Sequence, residues 1–245
     1  MLVPSKIVVA GSGIIGNSIA YYLAKNHNTP VTLIDAVGLA PAASGKSAGF
    51  LARDWSDGTA IQHLQRHSFD LHVILAQDFG ASTIDFRRLS SAAVAVDGGM
   101  SLNKPRGKKL ESVEWADVGV MGSRPMGDHS TIAQVHPKKL CNALFNYAQD
   151  KVGTELKIGR VLEAVLDSSN KISGVKLESG EILEADALVV ACGPWTDEAN
   201  SWFGDISTIT TVLGQKYHSI LIKSPRILSQ AVFFEGAGDP EVYVS

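Results

Sequence analysis

The chain has 245 residues, 45% of them hydrophobic and 19% charged, with a formal net charge of −3. These values lie in the ordinary globular range and suffice for one large domain or two closely joined ones. A charge this near balance gives no reason to expect nucleic acid or an anionic membrane as partner. No stretch approaches the roughly eighteen consecutive apolar residues of a membrane span.

The first element is Ile7-Val8-Val9-Ala10, which runs into Gly11-Ser12-Gly13-Ile14-Ile15-Gly16. This predicts a strand buried on both faces, a tight turn and a helix start. In a phosphate-binding turn of this spacing Gly11 allows the bend, Gly13 admits a pyrophosphate and Gly16 lets helix and strand approach. The helix would aim its free N–H groups and positive dipole end at an anion above the turn. Ile15, Ile19, Tyr22 and Leu23 recur behind it at helical spacing, and a second apolar run, Val31 to Ile34, ends on Asp35. That acid falls about twenty residues beyond the last glycine, where a carboxylate takes ribose hydroxyls.

Pro41 to Gly49 is a run of small residues with no helical period, suited to close backbone approach to a ligand. From Thr59 to Gly80 the residues Ile61, Leu64, Leu71, Leu75 and Phe79 form one stripe, which predicts an amphipathic helix. His63 and His67 sit one turn apart off that stripe with no accompanying acid or cysteine, so a solvated face is preferred to a metal site, and none is expected. Between Ile84 and Val135 short alternating pieces such as Ala92 to Val96 predict antiparallel strands of a second domain. The basic cluster Lys104 to Lys109 reads as a solvated loop.

Pro137 opens a helix over 138–151, with Leu140, Leu144 and Tyr147 on one face. Arg160 to Leu166, Gly174 to Glu178 and Glu181 to Leu183 predict a small meander that leads into the apolar strand Ala185 to Cys192, then Gly193-Pro194-Trp195 and a helix over 196–203. Ligands in open α/β sheets lie beyond the carboxyl ends of strands, so Cys192, Gly193 and Trp195 should face the same crevice as Gly11 to Gly16. The last strands expected are Tyr217 to Ile222, Ala231 to Glu235 and Glu241 to Val244, with a hairpin turn at Gly236-Ala237-Gly238. Cys141 and Cys192 show no metal or redox spacing and read as buried thiols, and with no leader pattern at the N-terminus a cytoplasmic protein is expected.

The glycine turn with Asp35, the run Ser44-Gly45-Lys46-Ser47-Ala48-Gly49, the segment Val135-His136-Pro137 and the strand ending Ala191-Cys192-Gly193-Pro194-Trp195-Thr196 together resemble the flavin-dependent family of D-amino-acid oxidase, glycine oxidase and sarcosine oxidase. The resemblance implies an α/β fold: a Rossmann-like FAD-binding domain, residues 1–83 and 129–204, interleaved with a mainly antiparallel β substrate domain, residues 84–128 and 205–245. It implies noncovalent FAD, with its pyrophosphate at Gly11, Ser12, Gly13, Ile14, Ile15 and Gly16 and its adenosine ribose at Asp35 and Ala36. Ser44, Gly45, Lys46, Ser47, Ala48, Gly49 and Phe50 would lie along the pyrophosphate and flavin, Val161 by the adenine, and Cys192, Gly193 and Trp195 over the cofactor.

The implied chemistry is hydride transfer from the amine-bearing carbon of a small amine or amino acid to the flavin, which asks for no catalytic acid or base. Tyr243 matches the family's strand tyrosine near the substrate carboxylate. The family's pattern continues past this tyrosine into further substrate-sheet strands, a carboxylate-binding arginine and a closing glycine-rich strand and helix, which this chain lacks. The expected fold is therefore incomplete at its C-terminal part, and this chain could be an inactive short form. Two other readings stay open: a nicotinamide-dependent dehydrogenase, which Gly11 to Gly16 and Asp35 alone would permit, and a non-enzymatic nucleotide-binding or interaction protein.

Overall fold

The computed structural model describes residues 4–96, 113, 120–206, 211–236 and 242–244. The elements run β1 (Ile7–Ala10), α1 (Ile14–His27), β2 (Val31–Asp35), α2 (Ala43–Lys46), β3 (Phe50–Ala52), α3 (Gln62–Phe79), β4 (Arg87–Arg88), β5 (Ser90–Val96), β6 (Val120–Gly127) and β7 (Ile132–Gln134). Then come α4 (Pro137–Val152), β8 (Glu155–Ile158), β9 (Val161–Leu166), β10 (Ile172–Leu177), β11 (Ile182–Glu184), β12 (Ala187–Val190), a 3₁₀ segment Gly193–Ile206, β13 (Gln230–Gly236) and β14 (Val242–Val244).

Two compact units share the chain: residues 1–47 with 137–220, and residues 48–136 with 221–245. The first holds a parallel sheet in the order β12-β1-β2-β8 and the antiparallel meander β11-β10-β9. β1 is buried on both faces because its side chains alternate. Ile7 and Val9 pack with Ala20 and Ala24 of α1 and with Phe145 and Ala148 of α4. Val8 and Ala10 pack with Val161, Val175 and Leu177 of the meander and with Trp202. The chain leaves β1 toward β2 on one side while β12 lies on the other, so the carboxyl ends of β1 and β12 form a topological switch point.

The second unit contains the sheet β14-β13-β5-β6, the sheet β3-β7-β4 and α3. Its pairing is antiparallel apart from β5 with β13, which run parallel from Ser90↔Gln230 to Val96↔Gly236. The architecture is the expected α/β fold with a parallel sheet and antiparallel sheets.

The division into units differs from the expected 1–83/129–204 split. β3 pairs with β7, Phe50 opposite Gln134, so the 48–83 and 129–136 stretches fall with the second unit. Residues 205–220 fall with the first, where Val212 N–H donates to the Asp197 carboxylate at 2.6 Å.

Other departures are local. The face α1 buries is Gly16, Asn17, Ala20, Tyr21 and Ala24, with Ile19 and Leu23 packed partly buried beside it, while Ile15 is 61% exposed. On α3 the buried residues are Phe69, Leu75 and Ala76, and Ile61 and Leu64 are exposed. The small-residue run includes one helical turn, α2, closed by Ser47 N–H to Ala43 O at 3.0 Å. Residues 193–206 are 3₁₀ rather than α: the Thr196 and Ser201 hydroxyls each bond a carbonyl three residues back, Gly193 O and Glu198 O, at 2.7 Å, an alternative to the i−4 ladder. Residues 217–222 form no strand. The basic cluster Lys104 to Lys109 and residues 237–240 of the last turn lie outside the described residues.

Candidate functional site

At the switch point, Gly11 follows β1 with φ +106 and its N–H meets Ile34 O at 2.7 Å. A Cβ on Gly11 would stand 2.2 Å from Ala191 O, and one on Gly16 would stand 2.0 Å from Gly11 O. Both positions are therefore closed to any side chain by backbone. Gly13 is different: its φ is −70 and its Cβ would meet only the Ser44 side chain, at 3.1 Å from Oγ. The space over Gly13 belongs to a hydroxyl.

Helix geometry leaves the first N–H groups of α1 without an intrahelical acceptor. Ile14 N–H donates to Ser44 Oγ at 2.9 Å, which brings the small-residue run onto the turn. Asn17 N–H is the first to bond backward, to Gly13 O at 3.0 Å. By the same helix geometry those of Ile15 and Gly16 have no acceptor within the helix, and the Ser44 hydroxyl can itself donate. Together with the dipole end of α1 they form a donor set suited to a diphosphate.

Asp35 ends β2, and three backbone N–H groups and one hydroxyl surround its carboxylate. Ser12 N–H and the Ser12 hydroxyl lie 3.1 and 3.0 Å from Oδ2, and the N–H groups of Val37 and Gly38 lie 3.0 and 3.2 Å from Oδ1. A carboxylate has about four lone-pair positions, so Asp35 binds the turn to the 37–38 segment before it binds anything else. Ser12 is fully buried, and its hydroxyl also lies 2.7 Å from Gly38 O.

Two residues of this site were not signalled by sequence motifs. Asn17 places its amide on the carbonyls of Ser12 and Gly13, at 2.5 and 2.9 Å. The available sign was an amide on the apolar side of a helix four residues beyond Gly13. Lys138, at the start of α4, donates to Leu39 O and Ala40 O and packs its stem on Gly45, whose own Cβ would lie 2.1 Å from Ala40 O. Nothing local in the sequence foretells that reach.

The other predicted residues of the first unit are placed as follows. Ala36, Lys46 and Ser47 are exposed. Val161 is 5% exposed and belongs to the core beneath the sheet. Gly193 adopts φ +56 with open space where a Cβ would stand, and Trp195 is 54% exposed. Cys192 Sγ lies 3.4 Å from Ala10 O, and burial pushes its thiol up to about 11.

Comparison with known proteins identifies this arrangement. The profile of the DAO family, FAD dependent oxidoreductase, matches residues 6–244. The chain belongs to that family. A Schizosaccharomyces pombe protein named as an oxidoreductase is 29% identical over 94% of this chain and 63% of its own length. The 4-methylaminobutanoate oxidase (formaldehyde-forming) of Paenarthrobacter nicotinovorans is 26% identical over 78% of this chain and 24% of its own. Glycine oxidase from Geobacillus kaustophilus superposes with a TM-score of 0.65 at 21% identity, over 82% of this chain and 58% of that one. This DAO-family chain thus spans less than two thirds of the length of these relatives.

The remaining predicted residues of the DAO-family chain lie in its second unit. Ala48 O accepts the Gln134 amide at 3.1 Å, and Gly49 O accepts Val135 N–H at 3.0 Å. The Phe50 ring packs on Trp55 and Phe233 at centroid distances of 5.0 and 5.3 Å, next to a cavity of about 310 Å3 lined also by Gln65, Phe69 and His72. The backbone of Tyr243 pairs opposite Phe233. His63 and His67 are exposed, and among the described residues no group of three or more His, Cys, Asp or Glu is placed to hold a metal ion. Cys141 is buried with its thiol pushed up to about 11 by desolvation. No helix among the described residues is long and apolar enough to cross a membrane.

Proposed function

We propose that the chain binds FAD noncovalently through its first unit and serves the oxidation of a C–N bond in a small amine or amino acid. The observation that carries this is the donor set at the start of α1, at the switch point of a parallel sheet whose Gly11 and Gly16 admit no side chain. The residues fit the group: a glycine cradle, amides of Ile15 and Gly16, and the Ser44 hydroxyl for the diphosphate. The adenosine ribose reaches Asp35 at the acceptor position beside Ser12, whose single hydroxyl proton has Gly38 O as its other acceptor at 2.7 Å. Ala36, Lys46, Ser47, Gly193 and Trp195 are open enough to border the cofactor, while Val161 supports its floor from the core.

When bound, FAD supplies the hydride acceptor for turning an amine into an imine, which water then hydrolyses. This chain's part is to hold the diphosphate and, through Phe50 and the strand carrying Tyr243, to border the substrate. The substrate class is supported by the names of two relatives, glycine oxidase and 4-methylaminobutanoate oxidase. The thiols Cys141 and Cys192 suit a reducing compartment, and we assign the cytoplasm.

The test is thermal unfolding of the purified chain with FAD, ADP or NAD, followed by a peroxide assay of the FAD-loaded protein on glycine, N-methylated amines and D- and L-amino acids. FAD and ADP should each raise the midpoint, FAD more. Protection by NAD without protection by FAD would overturn the assignment in favour of a nicotinamide enzyme.

A further inference from the structure

We propose that Asn17 is a positioning residue for diphosphate recognition, acting through the turn it underlies and not by touching the ligand. This rests on the reading of Gly11 to Gly16 as a diphosphate site. Asn17 is fully buried on α1, and its Nδ2 donates to Ser12 O at 2.5 Å and to Gly13 O at 2.9 Å. A trans peptide unit sends its C=O and N–H in opposite directions. Holding those two carbonyls therefore turns the N–H groups of Gly13 and Ile14 away from Asn17. The Ile14 N–H does emerge on the far side, where it meets Ser44 Oγ at 2.9 Å. Each carbonyl also accepts one backbone N–H, that of Ala40 on Ser12 O and that of Asn17 on Gly13 O, both at 3.0 Å; the side-chain amide ties the two carbonyls to one another, and without it either peptide can tilt its carbonyl dipole toward the anion.

The orientation of the amide is set by its neighbours: two carbonyl oxygens require the NH2 end. The other end, Oδ1, is buried with no hydrogen-bond partner among the described residues. An unsatisfied buried acceptor weakens a fold, whereas an apolar side chain of similar volume does not carry that cost. An amide that braces two carbonyls of a ligand-binding turn while its own oxygen has no partner among the described residues is explained by the turn.

The experiment compares Asn17→Leu with wild type in the full chain, measuring binding of ADP and of adenosine by ligand-observed NMR alongside thermal unfolding. Adenosine should bind within about twofold of wild type and ADP about tenfold more weakly, the scale of a lost hydrogen-bond contribution to a charged group. The unfolding midpoint should stay within about 5 °C of wild type. If both ligands weaken by the same factor, or ADP is unaffected, Asn17 is merely structural. If wild type binds ADP no better than adenosine, the diphosphate reading itself fails and the role of Asn17 falls with it. Should Asn17→Leu not fold, Asn17→Ser, with one donor in place of two, should give a smaller loss confined to ADP, and an equal loss for both ligands would overturn the proposal.

Discussion

β1 and the segment 217–222 have the same kind of sequence and opposite fates. Ile7 to Ala10 are between 0 and 6% exposed, paired to β2 and β12 and covered on both faces. Tyr217, Ile220, Leu221 and Ile222 are 79, 85, 100 and 83% exposed and form no strand. Both were expected to be strands from apolar, β-prone composition. The difference is neighbours: β1 has two ladders and two covering layers, and 217–222 has no paired strand among the described residues. An apolar run states a demand for partners, and only the tertiary structure says whether the demand is met.

The comparison breaks first if the buried end of β1 tolerates bulk. Gly11→Ala or Gly16→Ala drives a Cβ into a backbone oxygen at 2.2 or 2.0 Å, which cannot be relieved by a rotamer change. Either should cost about 3 kcal/mol or more of stability, measured by urea unfolding. Gly13→Ala sharpens the contrast within the same turn, because its Cβ meets only the Ser44 side chain. That variant should keep stability to within about 1 kcal/mol and lose at least about tenfold in FAD affinity in a fluorescence titration.

At the other region, Ile220→Lys with Leu221→Lys should leave unfolding within about 0.5 kcal/mol of wild type, as for other surface changes. In sedimentation velocity the same pair should reduce self-association, since an exposed apolar β-prone run is a pairing hazard. A large loss of stability would show that 217–222 is packed after all.

The smallest effect concerns acid. The Asp186 carboxylate accepts the N–H groups of Ser5 and Lys6 at 2.9 and 3.0 Å, just ahead of β1. The Ser5 N–H chiefly, against a desolvation cost, holds its pKa below the usual carboxylate range. Its contribution is therefore fully present above the unfolded value of about 3.9 and is lost as pH falls through the lower folded value. Asp186→Asn should flatten the pH dependence of unfolding below about pH 4 and leave its slope near neutrality unchanged.

Elements whose chemistry is local were legible in the sequence. The spacing of Gly11, Gly13 and Gly16 states the turn, Pro137 starts α4, and the meander strands fall within two residues of their expected bounds. Features set by distance along the chain were not. The parallel pairing of β5 with β13 joins residues some 140 apart, and the β3–β7 ladder moves residues 48–83 into the second unit. The helical spacing of Ile15, Ile19, Tyr22 and Leu23 finds the side of α1 where Ile19 and Leu23 pack, but it does not show that the most buried positions are Gly16, Asn17, Ala20, Tyr21 and Ala24. Spacing marks Asp35 for a ribose, yet could not show that Ser12, Val37 and Gly38 already surround its carboxylate.

The central claim is that the turn Gly11 to Gly16 and the start of α1 receive the diphosphate. Backbone amide NMR of the deuterated chain, titrated with ADP, reads that directly. The account predicts that the amides of Gly13, Ile15 and Gly16 move most, downfield as hydrogen bonds to an anion form, with Ser44 close behind. If ADP binds while these amides stay fixed and the largest shifts fall elsewhere, the site has been misplaced.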